Sequence, residues 1–175
     1  MRFVWFVHYH CIYCDSRSEC YGVDGFDKEI LVKVNAIDLL RDELSRKRFK
    51  GVIGLGSMND PFMPIEKEIN LAGRALAIIA EFGFAVHIIT KSDLILKDLE
   101  TLRAIGRVYA SISFTVTTSD DDLAAKVEPL APRPSRRRAR STALRRVSRS
   151  TNRRRRSNSR YSEEFIVDLR FTSVG

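Results

Sequence analysis

Cys11 and Cys14 stand three positions apart in the run His10-Cys11-Ile12-Tyr13-Cys14-Asp15, with an aromatic residue between them. Two thiolates at that spacing close on one metal ion or one iron–sulfur cluster. Taken alone, the pair also fits half of a zinc site, a redox dithiol, or two small buried residues. His8 and His10 adjoin it, so His8, His10, Cys11 and Cys14 form a set with zinc-ligand chemistry, although the histidine spacing is not that of a common finger. Cys20 completes the count of 3 cysteines, all near the start of the chain. An odd, clustered set reads as metal or redox chemistry in a reducing cytoplasm and not as a disulfide frame.

The elements that must position such a loop follow from the hydrophobic pattern. Arg2 to Val7 is apolar and β-prone, a strand leading into the cysteines. As an apolar block it is too short for a secretory signal, and no run in the chain is long enough to span a bilayer. Glu29 to Val34 predicts a strand, and Ile37, Leu40 and Leu44 mark one face of a helix over 37–48. Val52 to Gly56 predicts a strand that ends in the loop Ser57 to Pro64. One long helix is expected over 65–82, closed by Gly83, then a buried strand over 85–90. Ser92 or Asp93 caps a helix over about 94–105 that Gly106 stops, and a strand over 108–116 leads to a last helix ending near Val127. His87, inside an apolar strand, reads as a packed core residue.

Strands and helices that alternate with short connections predict an α/β fold with a parallel sheet, here the N-terminal half of a TIM-like (β/α) barrel. Asn59 and Asp60 follow one strand, Lys91 the next, and Ser113 and Thr115 lie on one face of the third. Chemistry gathers at that end of such barrels.

Charge divides the chain. Residues 1–132 hold 16 Lys/Arg against 19 Asp/Glu, 133–160 hold 13 Arg and no acid, and 161–175 hold 1 Arg against 3 acids. Three parts follow: a globular body over 1–132, an arginine-rich tract over 133–160 expected to be disordered, and a short segment over 161–175 with a strand at Glu164 to Leu169. The tract suits a nucleic-acid partner bound through phosphates; without aromatics it has no stacking platform. Its abrupt arginine–serine composition also suits a GC-rich gene read out of frame from near codon 135.

Cys-Ile-Tyr-Cys (11–14), Gly-Ser-Met-Asn-Asp-Pro-Phe-Met-Pro-Ile-Glu (56–66), Ile-Thr-Lys-Ser (89–92), Ser-Phe-Thr-Val-Thr-Thr (113–118) and Glu-Pro-Leu-Ala-Pro (128–132) occur in this order. The combination resembles the radical SAM proteins of the spore photoproduct lyase-like group, many described as DNA repair photolyases. The resemblance spans about positions 8 to 135. It implies a partial (β/α) barrel, a four-iron, four-sulfur cluster on Cys11 and Cys14, and S-adenosylmethionine at the cluster's open iron. It further implies a lyase-type radical reaction begun by reductive cleavage to methionine and a 5′-deoxyadenosyl radical, with a flavodoxin or ferredoxin as electron donor. Tyr13, Asn59, Asp60, Lys91, Ser113 and Thr115 are the residues it places around the cofactor, Lys91 as a point charge for the methionine carboxylate.

Two departures are visible. The group's motif is Cys-x-x-x-Cys-x-x-Cys, and Val7 stands where its first cysteine belongs. Valine cannot bind iron, so poor cluster loading is expected. Ser57 stands near the point where spore photoproduct lyases carry a hydrogen-donating cysteine, which argues against thymine-dimer repair.

Overall fold

The computed structural model describes residues 9–14, 32–147 and 163–169. The expected strand over 2–7, Val7, His8 and Cys20 lie outside the described residues. In chain order the elements are α1 (Ala36–Ser45), β1 (Val52–Leu55), α2 (Glu66–Ile69), α3 (Leu71–Glu81), β2 (Ala85–Thr90), a 3₁₀ turn (Asp93–Asp98), α4 (Leu99–Gly106), β3 (Ala110–Val116), α5 (Asp121–Val127), α6 (Pro134–Val147) and β4 (Glu163–Leu169). The sheet order is β1-β2-β3-β4. β1, β2 and β3 are parallel, with Leu55 opposite Ile88 and Ile88 opposite Ile112. β4 joins β3 antiparallel, Ser113 opposite Ile166.

The alternation of the strands decides which face is dry. Val86 and Ile88 of β2, and Ala110, Ile112 and Phe114 of β3, enter one core with Leu76 and Ile79 of α3, Leu102 and Ile105 of α4 and Leu144 of α6. The residues between them, His87, Ser111, Ser113 and Thr115, belong to the other face. His87 is therefore not the apolar packing residue its strand suggests. It is half-buried, with Nε2 3.0 Å from Ser113 Oγ.

Several expectations are corrected. Val32 and Lys33 are irregular and Val34 lies in a turn, so a strand does not run through them. The helix expected over 65–82 breaks at Asn70, which takes φ +46°. Asparagine tolerates that left-handed conformation better than most residues. The break is sustained by Glu66, whose buried carboxylate accepts from the Leu71 and Gly73 amides at 2.9 and 3.2 Å, the otherwise orphaned donors of α3. Lys97 Nζ sits 3.1 Å from the same carboxylate. The helix expected over 94–105 begins as a 3₁₀ turn capped by Ser92 Oγ, and its α-helical part, α4, ends on Gly106. The tract expected to be disordered is helical over Pro134–Val147, with Arg137, Ser141 and Leu144 buried. Arginine is a good helix former, and one face of α6 has partners to pack on. The rest of that tract, 148–160, lies outside the described residues. Among the described residues no helix is long and apolar enough to cross a membrane.

Candidate functional site

Residues 9–14 form a tight turn laid across the C-terminal ends of the strands. Tyr9 is buried and its hydroxyl donates to the Phe62 carbonyl at 3.1 Å. His10 takes φ +49°, turning the chain toward the cysteines. The Ile12 amide donates to the Val127 carbonyl at 3.0 Å, and the Leu130 amide to the Tyr9 carbonyl at 3.3 Å. The segment after α5 thus grips the loop at two points. Cys11, 2% exposed, forms a small apolar cluster with Tyr9 and Ala131, and Cys14 packs against it. Both cysteines are free thiols. Burial pushes the Cys11 thiol up, and the Lys91 ammonium pulls it part of the way back.

The loop closes over a cavity of about 200 Å³ lined by Cys11, Tyr13 and Cys14, by Gly56 to Asp60 after β1, by Ile89 to Lys91 at the end of β2, and by Thr115 of β3. Of the eight residues that the resemblance places at the cluster and cofactor, only Ser113 does not line it; Ser113 is buried one step down the strand against His87, and His10 does not line it either. Gly56 permits the convergence. Its φ is +97°, and a Cβ there would strike the carbonyl oxygen of Ile89 on β2.

Asp60 lines the cavity, but its carboxylate is engaged by the chain. It accepts from the Phe62 amide at 2.9 Å, the Thr90 hydroxyl at 2.7 Å and the Lys91 amide at 2.6 Å. Burial pushes this carboxyl above its ordinary range, against those hydrogen bonds and the Lys91 charge. Its evident task is to tie the β1 exit to the end of β2 and so fix where Lys91 begins. Lys91 Nζ lies 5.8 Å from the centre of the Tyr13 ring and 4.0 Å from Glu128 Oε1.

Glu128 is the residue that sequence reasoning passed over. Its side chain is 1% exposed and gathers four groups. Oε1 accepts from Tyr13 and, at 2.6 Å, from Thr117, and faces Lys91; Oε2 pairs with Arg137 of α6. Burial alone would raise this carboxyl. The hydrogen bonds from Thr117 and Tyr13 and the Arg137 charge outweigh it and hold Glu128 below the usual carboxylate range. For Tyr13, burial first and Glu128 second push the phenol up, so it remains a neutral donor. The only signal for this cluster in the sequence is a glutamate before Pro129 with an arginine nine positions on, which is weak by itself.

A larger groove of about 810 Å³ lies between α1 and α3, lined by Ile37, Leu40, Leu55, Met63 and Ile69 among others. It is mostly apolar and holds no cysteine, whereas the smaller polar cavity gathers both described cysteines with Tyr13 and Lys91. Among the described residues no three His, Cys, Asp or Glu side chains converge as a metal site. The donor set therefore fits an iron–sulfur cluster in part. Two thiols line one pocket beside a cation, and the third thiolate that leaves one iron open is not among the described residues.

No family model matches the chain, and no solved structure matches it. It is 30% identical over 126 residues to the uncharacterized protein MJ0683 of Methanocaldococcus jannaschii, covering 71% of this chain and 46% of that one. It is 30% identical over 142 residues to the uncharacterized proteins Rv2578c of Mycobacterium tuberculosis and Mb2609c of Mycobacterium bovis, covering 77% of this chain and 42% of each. The chain spans less than half the length of these relatives.

Proposed function

We propose that the chain is the N-terminal half of a radical SAM-type (β/α) barrel of the spore photoproduct lyase-like group, with an incompletely liganded cluster site and little turnover alone. One observation carries this reading: Cys11 and Cys14 line one cavity with Tyr13, Asn59, Lys91 and Thr115, at the C-terminal ends of three parallel strands. Cys11 and Cys14 would hold the iron–sulfur group, which supplies the single electron that splits adenosylmethionine when it is bound. The chain's own side chains bind and orient. The Lys91 ammonium meets a ligand carboxylate as a point charge, in competition with Glu128 at 4.0 Å. The Tyr13 ring, half-exposed over the cavity, offers an apolar face to a nucleobase. Asn59 supplies polar contacts to ribose or the amino acid end, and Asp60 holds the Lys91 backbone in place.

Equilibrium dialysis against S-adenosylmethionine, with the chain reconstituted anaerobically with iron and sulfide, tests the reading. Binding is expected, and Lys91→Met is expected to weaken it about tenfold to a hundredfold, the range for a charge-assisted hydrogen bond. Unchanged affinity in that variant, or no binding by the wild type, overturns it. Only traces of 5′-deoxyadenosine are expected from the wild type; robust multiple turnover contradicts the impaired site.

A second reading, a basic nucleic-acid-binding protein, is favoured by the 13 arginines without an acid over 133–160 and by the exposed Arg133, Arg136 and Arg140. Its test is a salt-dependent gel shift, described below.

A further inference from the structure

The arginine-rich helix reaches into the site. Arg137 is the largest fully buried side chain among the described residues. Its guanidinium uses its fork in three directions. Nε donates to the Pro132 carbonyl at 2.6 Å, Nη1 to the Thr115 carbonyl at 2.9 Å, and Nη2 to Glu128. Those three acceptors sit on β3, on the segment after α5, and on the carboxylate that receives the Tyr13 hydroxyl. The same segment, 127–131, makes the Val127–Ile12 and Leu130–Tyr9 backbone bonds that hold the cysteine loop. Both of these backbone ties between the loop and the rest of the chain end on a segment that Arg137 clamps to the sheet.

We propose that Arg137 is a positioning residue for the cysteine loop, acting through Glu128 and the 127–132 segment, so that the first turns of the arginine tract complete the site. The inference rests on reading residues 9–14 as the working loop, but its consequence is measured on the free thiols. A buried arginine is expensive to desolvate, and its three fixed acceptors match the planar fork that lysine lacks. Without it, Glu128 would keep a buried charge with only the Tyr13 and Thr117 hydroxyls and the more distant Lys91. The segment would then relax toward water and release the loop.

The test is alkylation of the reduced, metal-free, full-length chain by iodoacetamide, with modification of Cys11 followed by peptide mass spectrometry. Leu144→Ala serves as the control. Leu144 anchors the same helix in the main core and has no part in the Arg137 cluster. Arg137→Met is expected to accelerate Cys11 alkylation by roughly tenfold or more, through local opening of the loop. Removing a positive charge alone would slow the reaction by favouring the thiol, so acceleration reports exposure. Leu144→Ala is expected to lower the melting temperature while leaving the Cys11 rate within about twofold of wild type. Amide exchange at Ile12 should rise in the first variant and not in the second. Should Arg137→Met fail to fold, Arg137→Lys replaces it, keeping the charge without the fork, and acceleration is again expected. A wild-type Cys11 rate in a folded Arg137 variant overturns the proposal, and so does equal acceleration by Leu144→Ala. Failure to bind S-adenosylmethionine would leave this result untouched, and an unaltered thiol rate would leave the proposed cofactor chemistry untouched.

Discussion

At the scale of single residues, Glu128 decides how the cavity is wired. It neutralises Arg137, orients Tyr13 and competes for Lys91, all from a buried position. Breaking such a pair from one side costs about 3–5 kcal/mol, because the partner charge stays buried. Glu128→Gln should therefore lower stability by that order at neutral pH, measured by urea unfolding. The sign of its pH dependence follows from the lowered carboxyl. The ionised form is favoured in the folded state, so its contribution is complete above the unfolded value of about 4.3 and is lost as pH falls through the folded value. The gap between wild type and Glu128→Gln should shrink below pH ~4 and stay constant from pH ~6 to 8. A gap independent of pH throughout would show that the carboxylate charge contributes nothing. The cysteine pair stands out in the sequence by its spacing, and Tyr13 and Lys91 enter through the resemblance. Glu128 and Arg137 were not legible there, since the role of each depends on contacts across the fold: the Tyr13–Glu128 bond joins residues 115 positions apart.

At the scale of elements, β1, β2, β3 and α5 follow the hydrophobic pattern and its punctuation closely. Asp120 caps α5 as its position suggests, accepting from the Asp122 and Leu123 amides at 2.8 and 3.1 Å. Asp120→Ala should cost about 1 kcal/mol in denaturant unfolding, with no effect on the cavity. What the pattern did not reveal are the interruptions. Asn70 splits one apolar periodicity into α2 and α3 because Glu66, four residues earlier, turns back to cap the second helix. No local propensity announces that. Helix α6 was hidden for another reason. Its composition is that of an unfolded segment, yet Pro134, Arg137, Ser141 and Leu144 are buried and Ser135 and Arg136 bond Asp121 and Asp93. At the mouth of the sheet, Gly56→Ala should destabilise by about 1–3 kcal/mol, since the methyl group meets backbone and the φ is left-handed. A melting temperature equal to wild type would contradict the close approach of β1 and β2.

At the scale of the whole molecule, three parallel strands hold helices on one side and a row of polar groups, His87, Ser113 and Thr115, on the other. The polar mouth at the C-terminal ends of the three parallel strands supports the proposed assignment, whereas β4, antiparallel to β3, is not a strand that a (β/α) barrel supplies. The charge division of the sequence persists, but its boundary moves. Residues 134–144 belong to the packed body; translation of the gene's other two frames from near codon 135 checks the proposed shift of reading frame. If the remaining arginines bind nucleic acid, affinity for any duplex should fall steeply between about 50 and 200 mM salt, and a chain ended at Val147 should lose most of it. The central claim concerns the loop beneath that body, and Val7 gives access to it. Iron and acid-labile sulfide per chain, measured after anaerobic reconstitution of the wild type, Val7→Cys and Val7→Cys/Cys11→Ala, test it most directly. The account predicts sparse loading in the wild type, a rise toward about four of each in Val7→Cys, and collapse in the double variant. Equal iron in all three would contradict it.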